Sequence, residues 1–356
     1  MKLKITMLGL ALIAIAYTGC KKDDDENTTT ATVTNEKVVL DFADYIAHYA
    51  YSNLAGETTD LYNKIAAFNA SPDDTKLQAC KDSWKASRLV WEKTESFLFG
   101  PVATDNIDPR IDTWPVNFND LEIILANGQP FTASYIDGLD DALKGFHPIE
   151  YLLFGYDGDK TATQFTPRQF EYLEALALNL KTLTGDLATG WDPQNNSSYY
   201  HEFQSAGNGS ANYPTLLSAY EEMVNAMAGI CDEVANGKIS EPFTAQNPDL
   251  EESPFAKNSI TDFTNNIRGV EAVYLGNIGN DAAGLEDIVR KHNLSLDNTI
   301  KTKINNAKTA LGNITVPFGE AIVSQPIQVQ NAINAINELK TVLETDLMDL
   351  VQLHVD

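Results

Sequence analysis

His147 and Glu150 stand three residues apart in the stretch Gly145–Gly155, GFHPIEYLLFG. Carried on a helix, an imidazole and a carboxylate at this spacing can converge on one ligand, as in the Glu-x-x-His pairs of carboxylate-bridged metal sites. The same residues admit a plainer reading. Proline is tolerated at the first helical position and biases the residue before it away from helix, which predicts a helix opening at Pro148 with His147 at its cap. Glu150 would then be the third helical residue, placed to reach back to the backbone N–H of residue 147 as a capping-box acid. Two ligands do not make a site, and Glu95 is the first candidate for a third. The chain has five histidines and no H-E-x-x-H, so the zincin peptidase motif is absent.

A second group lies in WKASRLVWEKTE. At roughly 100° per residue, Trp84, Arg88, Trp91 and Glu95 fall within about 60° of one another on a helix. Two tryptophans on one face imply burial, yet Arg88 and Glu95 share it, and charges are rarely buried without partners. This face is either a buried ion-pair network between helices or the lining of a polar cleft. A third group lies in ESPFAKNSITDFTNNIRG. Ser259, Asp262 and Asn266 form a polar stripe beside the apolar face of Ile260, Phe263, Ile267, Val270 and Tyr274. Ser259 is a plausible N-cap, and Asp262 and Asn266 edge the core.

Helical periodicity must position these groups, since alternating strand patterns are scarce. NEKVVLDFADYIAHYAYSNL is amphipathic. SPDDTKLQACKDSWKASRLVWEKTESFLFG predicts a helix capped by Ser71 with Pro72 at its first position. TPRQFEYLEALALNLKTLTGDLA gives Thr166 and Pro167 the same roles. Four further amphipathic stretches follow, which predicts an all-α protein of antiparallel helical bundles. Long loops at 100–117, 190–214 and 237–258 interrupt the helices, and such loops are usually functional or linkers. The second divides an N-terminal bundle, 35–205, from a C-terminal one, 206–356. ESFLFG, EYLLFG and EAVYLG each end in a glycine five positions after an acid. They fit either a common helix stop or an old helical duplication.

The net charge of −25 argues against nucleic acid, whose phosphates such a surface repels, and favours cations. At the N-terminus, MKLKITMLGLALIAIAYTGC has two lysines, an apolar run of signal-peptide length and small residues before Cys20. YTGC resembles a bacterial lipobox. Residues 1–20 are therefore expected to be a lipoprotein signal peptide ending at a lipidated Cys20. Residues 21–34, which begin KKDDDENTTT, are expected to be a disordered tether. Lysine followed by acids after that cysteine is similar to the surface-export signal of Bacteroidetes lipoproteins. The expected location is the cell envelope, lipid-anchored at the outer membrane, with exposure at the cell surface implied by that similarity. Cys80 and Cys231 either pair or stand as separate buried thiols.

GFHPIEYLLFG fits the Gly-x-His-x-x-Glu signature of the imelysin-like family. ESPFAKNSITDFTNNIRGVEAVYLG resembles a second block of that family, SWKASRLVWEKTESFLFGP a first, and RIDTWP, Arg110 to Pro115, a further segment. Together the blocks span most of the chain. The resemblance implies two helical-bundle domains related by duplication, a site between them, an envelope location and a link to bacterial iron uptake. It also brings Asp112, Trp114 and Ser253 among the site residues. The expected function is an envelope lipoprotein that binds iron, another divalent metal or an iron-bearing ligand, with an envelope transporter as a possible partner. His147, Glu150 and Glu95 are the metal candidates. Arg88, Trp91, Asp112, Trp114, Ser253, Ser259, Asp262 and Asn266 bind or support the ligand. Oxygen donors with one imidazole suit iron better than they suit thiolate-loving ions. The alternatives are a metal-dependent peptidase of the imelysin type, for which no complete catalytic zinc set is seen, and a structural envelope interaction protein.

Overall fold

Capping explains where the first helices begin. In the computed structural model, which describes residues 33–279 and 282–356, Thr34 accepts a hydrogen bond from the Lys37 N–H and opens α1, Asn35–Asp41. A π-helical segment, Phe42–Ala47, joins α1 to α2, His48–Ala70. The next cap is Asp73 and not Ser71. Its carboxylate accepts from the Lys76 N–H, so α3 runs Asp74–Thr94 and Pro72 lies outside the helix. The short helix α4, Ile107–Asp112, and then α5, Phe146–Phe154, bring in the site. Thr166 and Pro167 open α6, Pro167–Gly190, with Gln169 completing a capping box. Then come α7, Leu216–Asp232, α8, Ser259–Leu275, α9, Leu294–Gly312, and α10, Pro326–Val342. No β-strand occurs among the described residues, as the periodicity requires.

The helices form two sets. α2 packs on both α3 and α6, with α5 laid against α3 and α6. α7, α8, α9 and α10 make the second set. The sets meet where α3 packs on α8. Gly269 permits this approach, because a Cβ there would lie 2.3 Å from the Lys93 carbonyl oxygen. The 205 position, expected to separate two bundles, follows the short helix Tyr199–Gln204. Apolar side chains from both sets are continuously buried, including Trp84, Trp91, Trp191, Tyr220 and Tyr274.

Cys80 and Cys231 are separate buried thiols, and burial pushes Cys80 up to about 12, leaving it unreactive at neutral pH. No helix among the described residues is long and apolar enough to cross a membrane. The expected signal peptide, Cys20 and most of the expected tether lie outside the described residues.

Candidate functional site

α5 starts two residues earlier than its proline suggests. Gly145 precedes the helix at φ 83° and ψ −157°, a conformation open essentially to glycine alone. His147 is thus the second helical residue and Pro148 the third, where the missing N–H still costs no intrahelical bond. Glu150 is consequently no capping-box acid. Its Oε1 instead accepts the Ala256 N–H at 2.7 Å, from a loop far along the chain. The glycine has a second task. A Cβ at Gly145 would lie 2.2 Å from the Ile111 carbonyl oxygen. Its absence lets α4 pass against the start of α5, and this contact sets Asp112 beside His147.

α3 supplies the floor. Trp84 donates from Nε1 to the Phe146 carbonyl at 3.0 Å, fixing α3 to α5. Trp91 donates from Nε1 to Asp112 Oδ2 at 2.7 Å. Arg88 is fully buried and pairs with Glu92 and Asp112, and with Glu252 at 2.9 Å. Its Nε lies 3.9 Å from Asp262. Of the two readings of this face, the structure therefore contains both features: a buried ion network, and beside it a cavity of about 350 Å³ lined by Glu95, Asp112, Trp114, Lys238 and Glu252.

The second helical set closes the network. Asn266 donates from Nδ2 to Glu92 Oε2 at 2.8 Å and to Glu95 Oε2 at 2.6 Å. Asp262 accepts from Ser253 Oγ at 2.6 Å and from Asn258 Nδ2 at 2.7 Å. Asn258 holds the cap position of α8. Ser259, expected there, instead accepts the Ser253 N–H at 3.0 Å and donates to Glu251 at 2.7 Å, fastening the loop that carries Glu252. Lys238 enters from a π-helical segment, Glu233–Ile239, and reaches Glu95 at 3.1 Å and Glu252 at 3.4 Å. A π segment places side chains differently from an α-helix, and such segments are frequent at functional sites.

His147 sits at the junction and is fully buried. Its Nε2 lies 3.1 Å from Asp112 and 3.8 Å from Glu252, while its Nδ1 lies 3.6 Å from Glu150. Neither ring nitrogen makes a well-aligned hydrogen bond. The Trp114 ring packs against the imidazole at 5.1 Å, and its own Nε1 is buried without a partner. Glu150 and the Asp112–Glu252 pair therefore address opposite nitrogens of one ring. The ligand set expected from the sequence, His147 with Glu150 and Glu95, divides accordingly. Ligand atoms of Asp112, His147 and Glu252 lie within 4.8 Å of one another. Those of Glu92, Glu95 and Asp112 form a second such group. Asp112 belongs to both.

Glu92, Lys238 and Glu252 were not singled out in the sequence. Glu92 had a signal, being one helical turn from Arg88. Glu252 had a weaker one, next to Ser253. Lys238 had none, because its position depends on the π segment.

Electrostatics follow from burial and neighbours. Burial and the nearby Glu92 raise the Glu95 carboxyl well above its ordinary range, and burial does the same to Asp262. Burial pushes Asp112 up too, but Arg88, His147 and Lys238 together outweigh it and hold Asp112 below the usual carboxylate range. For His147, burial pulls the imidazole down, and the facing Asp112 and Glu150 carboxylates outweigh it to hold it at about 9. Asp108, half-buried at the cavity wall, is pushed up to about 7, chiefly by loss of solvent and then by the neighbouring Asp112. Buried acids in excess of buried bases, around an imidazole with unpartnered nitrogens, form a site suited to a cation.

The family model described as imelysin matches residues 47–345. Iron-regulated protein A of Synechococcus elongatus is 30% identical over 350 residues, spanning 97% of this chain and 93% of that protein. A crystal structure from Parabacteroides distasonis, described as an iron-regulated protein A precursor, superposes with a TM-score of 0.82 at 27% identity. It covers 92% of this chain and 97% of that one. An imelysin-like protein from Psychrobacter arcticum shares the fold at 13% identity, with a TM-score of 0.74, over 90% of this chain and 97% of that one. The resemblance carried by the Gly-x-His-x-x-Glu stretch thus extends along nearly the whole length, and the chain belongs to the imelysin family.

Proposed function

We propose that this protein binds iron, or an iron-bearing ligand, at the His147 cluster and contributes to iron uptake from the cell envelope. The observation that carries the reading is the charge imbalance at the centre. The carboxyl groups of Glu92, Glu95, Asp112, Glu150, Glu252 and Asp262 are withdrawn from solvent around His147, with Arg88 and Lys238 as the permanent cations paired to them, and both nitrogens of His147 lack aligned partners. Burial raises Glu95 and Asp262 so that they retain protons, and a bound cation would displace those protons and serve as their counter-charge. The name of the Synechococcus relative, iron-regulated protein A, agrees with iron.

In this reading Asp112, His147 and Glu252 are the direct ligands, and Glu95 with Glu92 lies in the adjoining carboxylate group. Glu150 faces the other imidazole nitrogen and orients the ring, as the carboxylate behind a ligating histidine commonly does. Isothermal titration with ferrous, ferric and zinc ions tests this division. His147→Ala and Asp112→Asn are expected to lower affinity more than 100-fold, and Glu150→Gln by roughly 10- to 100-fold, the range for such outer partners. Equal affinity in all four proteins, or no binding by the wild type, would overturn the reading.

The envelope role rests on the N-terminal residues. Cys20 is the proposed lipid attachment point, which would hold the domain at the outer membrane near a transporter that takes the iron. Cys20→Ser is expected to move the protein from the membrane to the soluble fraction with its melting temperature unchanged. Continued membrane association would remove the anchor from the proposal.

A further inference from the structure

Beside the acidic cavity lies a second one of about 480 Å³, different in character. Its walls are Trp114, Phe118, Tyr156, Leu250 and Phe255, with prolines at its edges. Aromatic rings meet around it, edge to face for Trp114 and Phe118 against Phe255 and tilted for Tyr156 against Phe255. Phe255 lies 6.0 Å from Trp114, 5.9 Å from Phe118 and 6.2 Å from Tyr156. Tyr156 is 60% exposed, although it is a large aromatic with apolar neighbours. Its hydroxyl donates to Asp249 at 3.1 Å, which fixes the ring at the rim. Volume and lining are those of a small-molecule subsite.

The two cavities share walls. Trp114 and Leu250 line both. Trp114 presents its ring to His147 on one side and to Phe255 on the other. The same two loops build both spaces: the segment after α4 carries Trp114 and Phe118, and the segment before α8 carries Leu250, Glu252 and Phe255. Trp114 and Leu250, common to both linings, are the residues over which one occupant would reach from the rings to the carboxylates. The acidic cavity limits what that occupant is. Glu95, Asp108, Asp112, Glu233, Glu241 and Glu252 line it, so a negatively charged chelate is repelled.

We infer that the ligand is a neutral or positively charged metal chelate whose organic part is a flat aromatic ring system, the metal facing His147 and the rings lying between Trp114, Tyr156 and Phe255. This deepens the iron-binding reading above and rests on it. A bare ion would leave the aromatic cavity unused, and an aliphatic chelator would gain nothing from its rings. Stacking on exposed aromatic faces adds to affinity when the partner is itself planar and apolar.

Two copper(II) probes separate the possibilities. Copper carrying one 1,10-phenanthroline and copper carrying one ethylenediamine have the same charge and two nitrogen donors each, and differ in aromatic surface. The phenanthroline complex is expected to bind the wild type at least tenfold more tightly by titration calorimetry. Tyr156→Ala, at an exposed rim position away from the metal ligands, is expected to remove most of that difference. The ethylenediamine complex and bare copper(II) should bind this variant as they bind the wild type, and the melting temperature should not move. Phe118→Ala provides a second removal of ring surface. Equal affinity for the two complexes in the wild type would overturn the aromatic subsite and leave the metal reading standing. A phenanthroline preference that survives both variants would do the same. If neither complex nor bare copper(II) binds, the metal reading fails and this proposal with it.

Discussion

Arg88→Met is expected to destabilise the fold by about 3–5 kcal/mol, the usual cost of leaving buried charges without their partner. Arg88 is fully buried and paired with Glu92, Asp112 and Glu252, with Asp262 close by. Methionine matches much of its volume, so the loss reports charge rather than a cavity. In the wild type, Arg88 with His147 and Lys238 holds Asp112 below its ordinary range against the opposing effect of burial. That carboxylate contributes stability above its unfolded-state pKa, and the contribution is lost as pH falls through the lower folded value. In the variant the sign reverses. Burial without Arg88 raises the acids' folded pKa values above their unfolded ones. Their penalty is absent in acid and grows as pH rises through the raised values. The gap between the melting curves of variant and wild type should therefore be largest at pH 7, narrow as pH falls to 4, and close further only in stronger acid, where Asp112 of the wild type takes up its proton. A gap that stays constant with pH, or a variant melting with the wild type at pH 7, would mean that the network does not hold the two helical sets together.

Gly145→Ala is expected to have a comparable effect by a different route. The backbone at Gly145 occupies a region that costs an L-residue roughly 1–3 kcal/mol. The added Cβ would also overlap the Ile111 carbonyl at 2.2 Å, and overpacking of this kind typically costs about 1–3 kcal/mol more. Relief of the clash must push α4 away from α5, and Asp112 away from His147. The variant should lose both stability, read from its melting temperature, and metal affinity, read by titration. Gly185→Ala is the control. It lies inside α6 with nothing within 4 Å of the added Cβ, so it should be neutral or slightly stabilising. If the two alanine variants melt together, the glycine in this motif is not there for the contact with Ile111.

Local order within the chain was legible from residue types. The 3.6-residue spacing of apolar side chains marks the long helices, because each must bury a stripe against its neighbours. Thr166 and Pro167 mark the start of α6 because the cap satisfies backbone donors locally. The shared face of Trp84, Arg88, Trp91 and Glu95 announced a buried charge, since the spacing alone puts them on one side. At α3 the sequence misled: Ser71 was expected to cap the helix, and Asp73, two residues on, accepts the capping hydrogen bond instead. Pro148 suggested a helix start that Gly145 in fact sets, because a distant contact with Ile111 demands a glycine there.

Partner choice belonged to the tertiary structure. His147 and Glu150 share a helix, but their spacing could not reveal that Glu150 turns to the Ala256 N–H while Asp112 and Glu252 take the other side of the ring. Asp112 arrives there because α4 crosses a glycine, Glu252 because Ser259 and Asp262 pin its loop, and Lys238 because a helix locally widens to a π turn. Periodicity along one segment sets which face a side chain occupies. Which charge it meets depends on how separate segments pack, and a buried charge takes its energy almost entirely from that meeting.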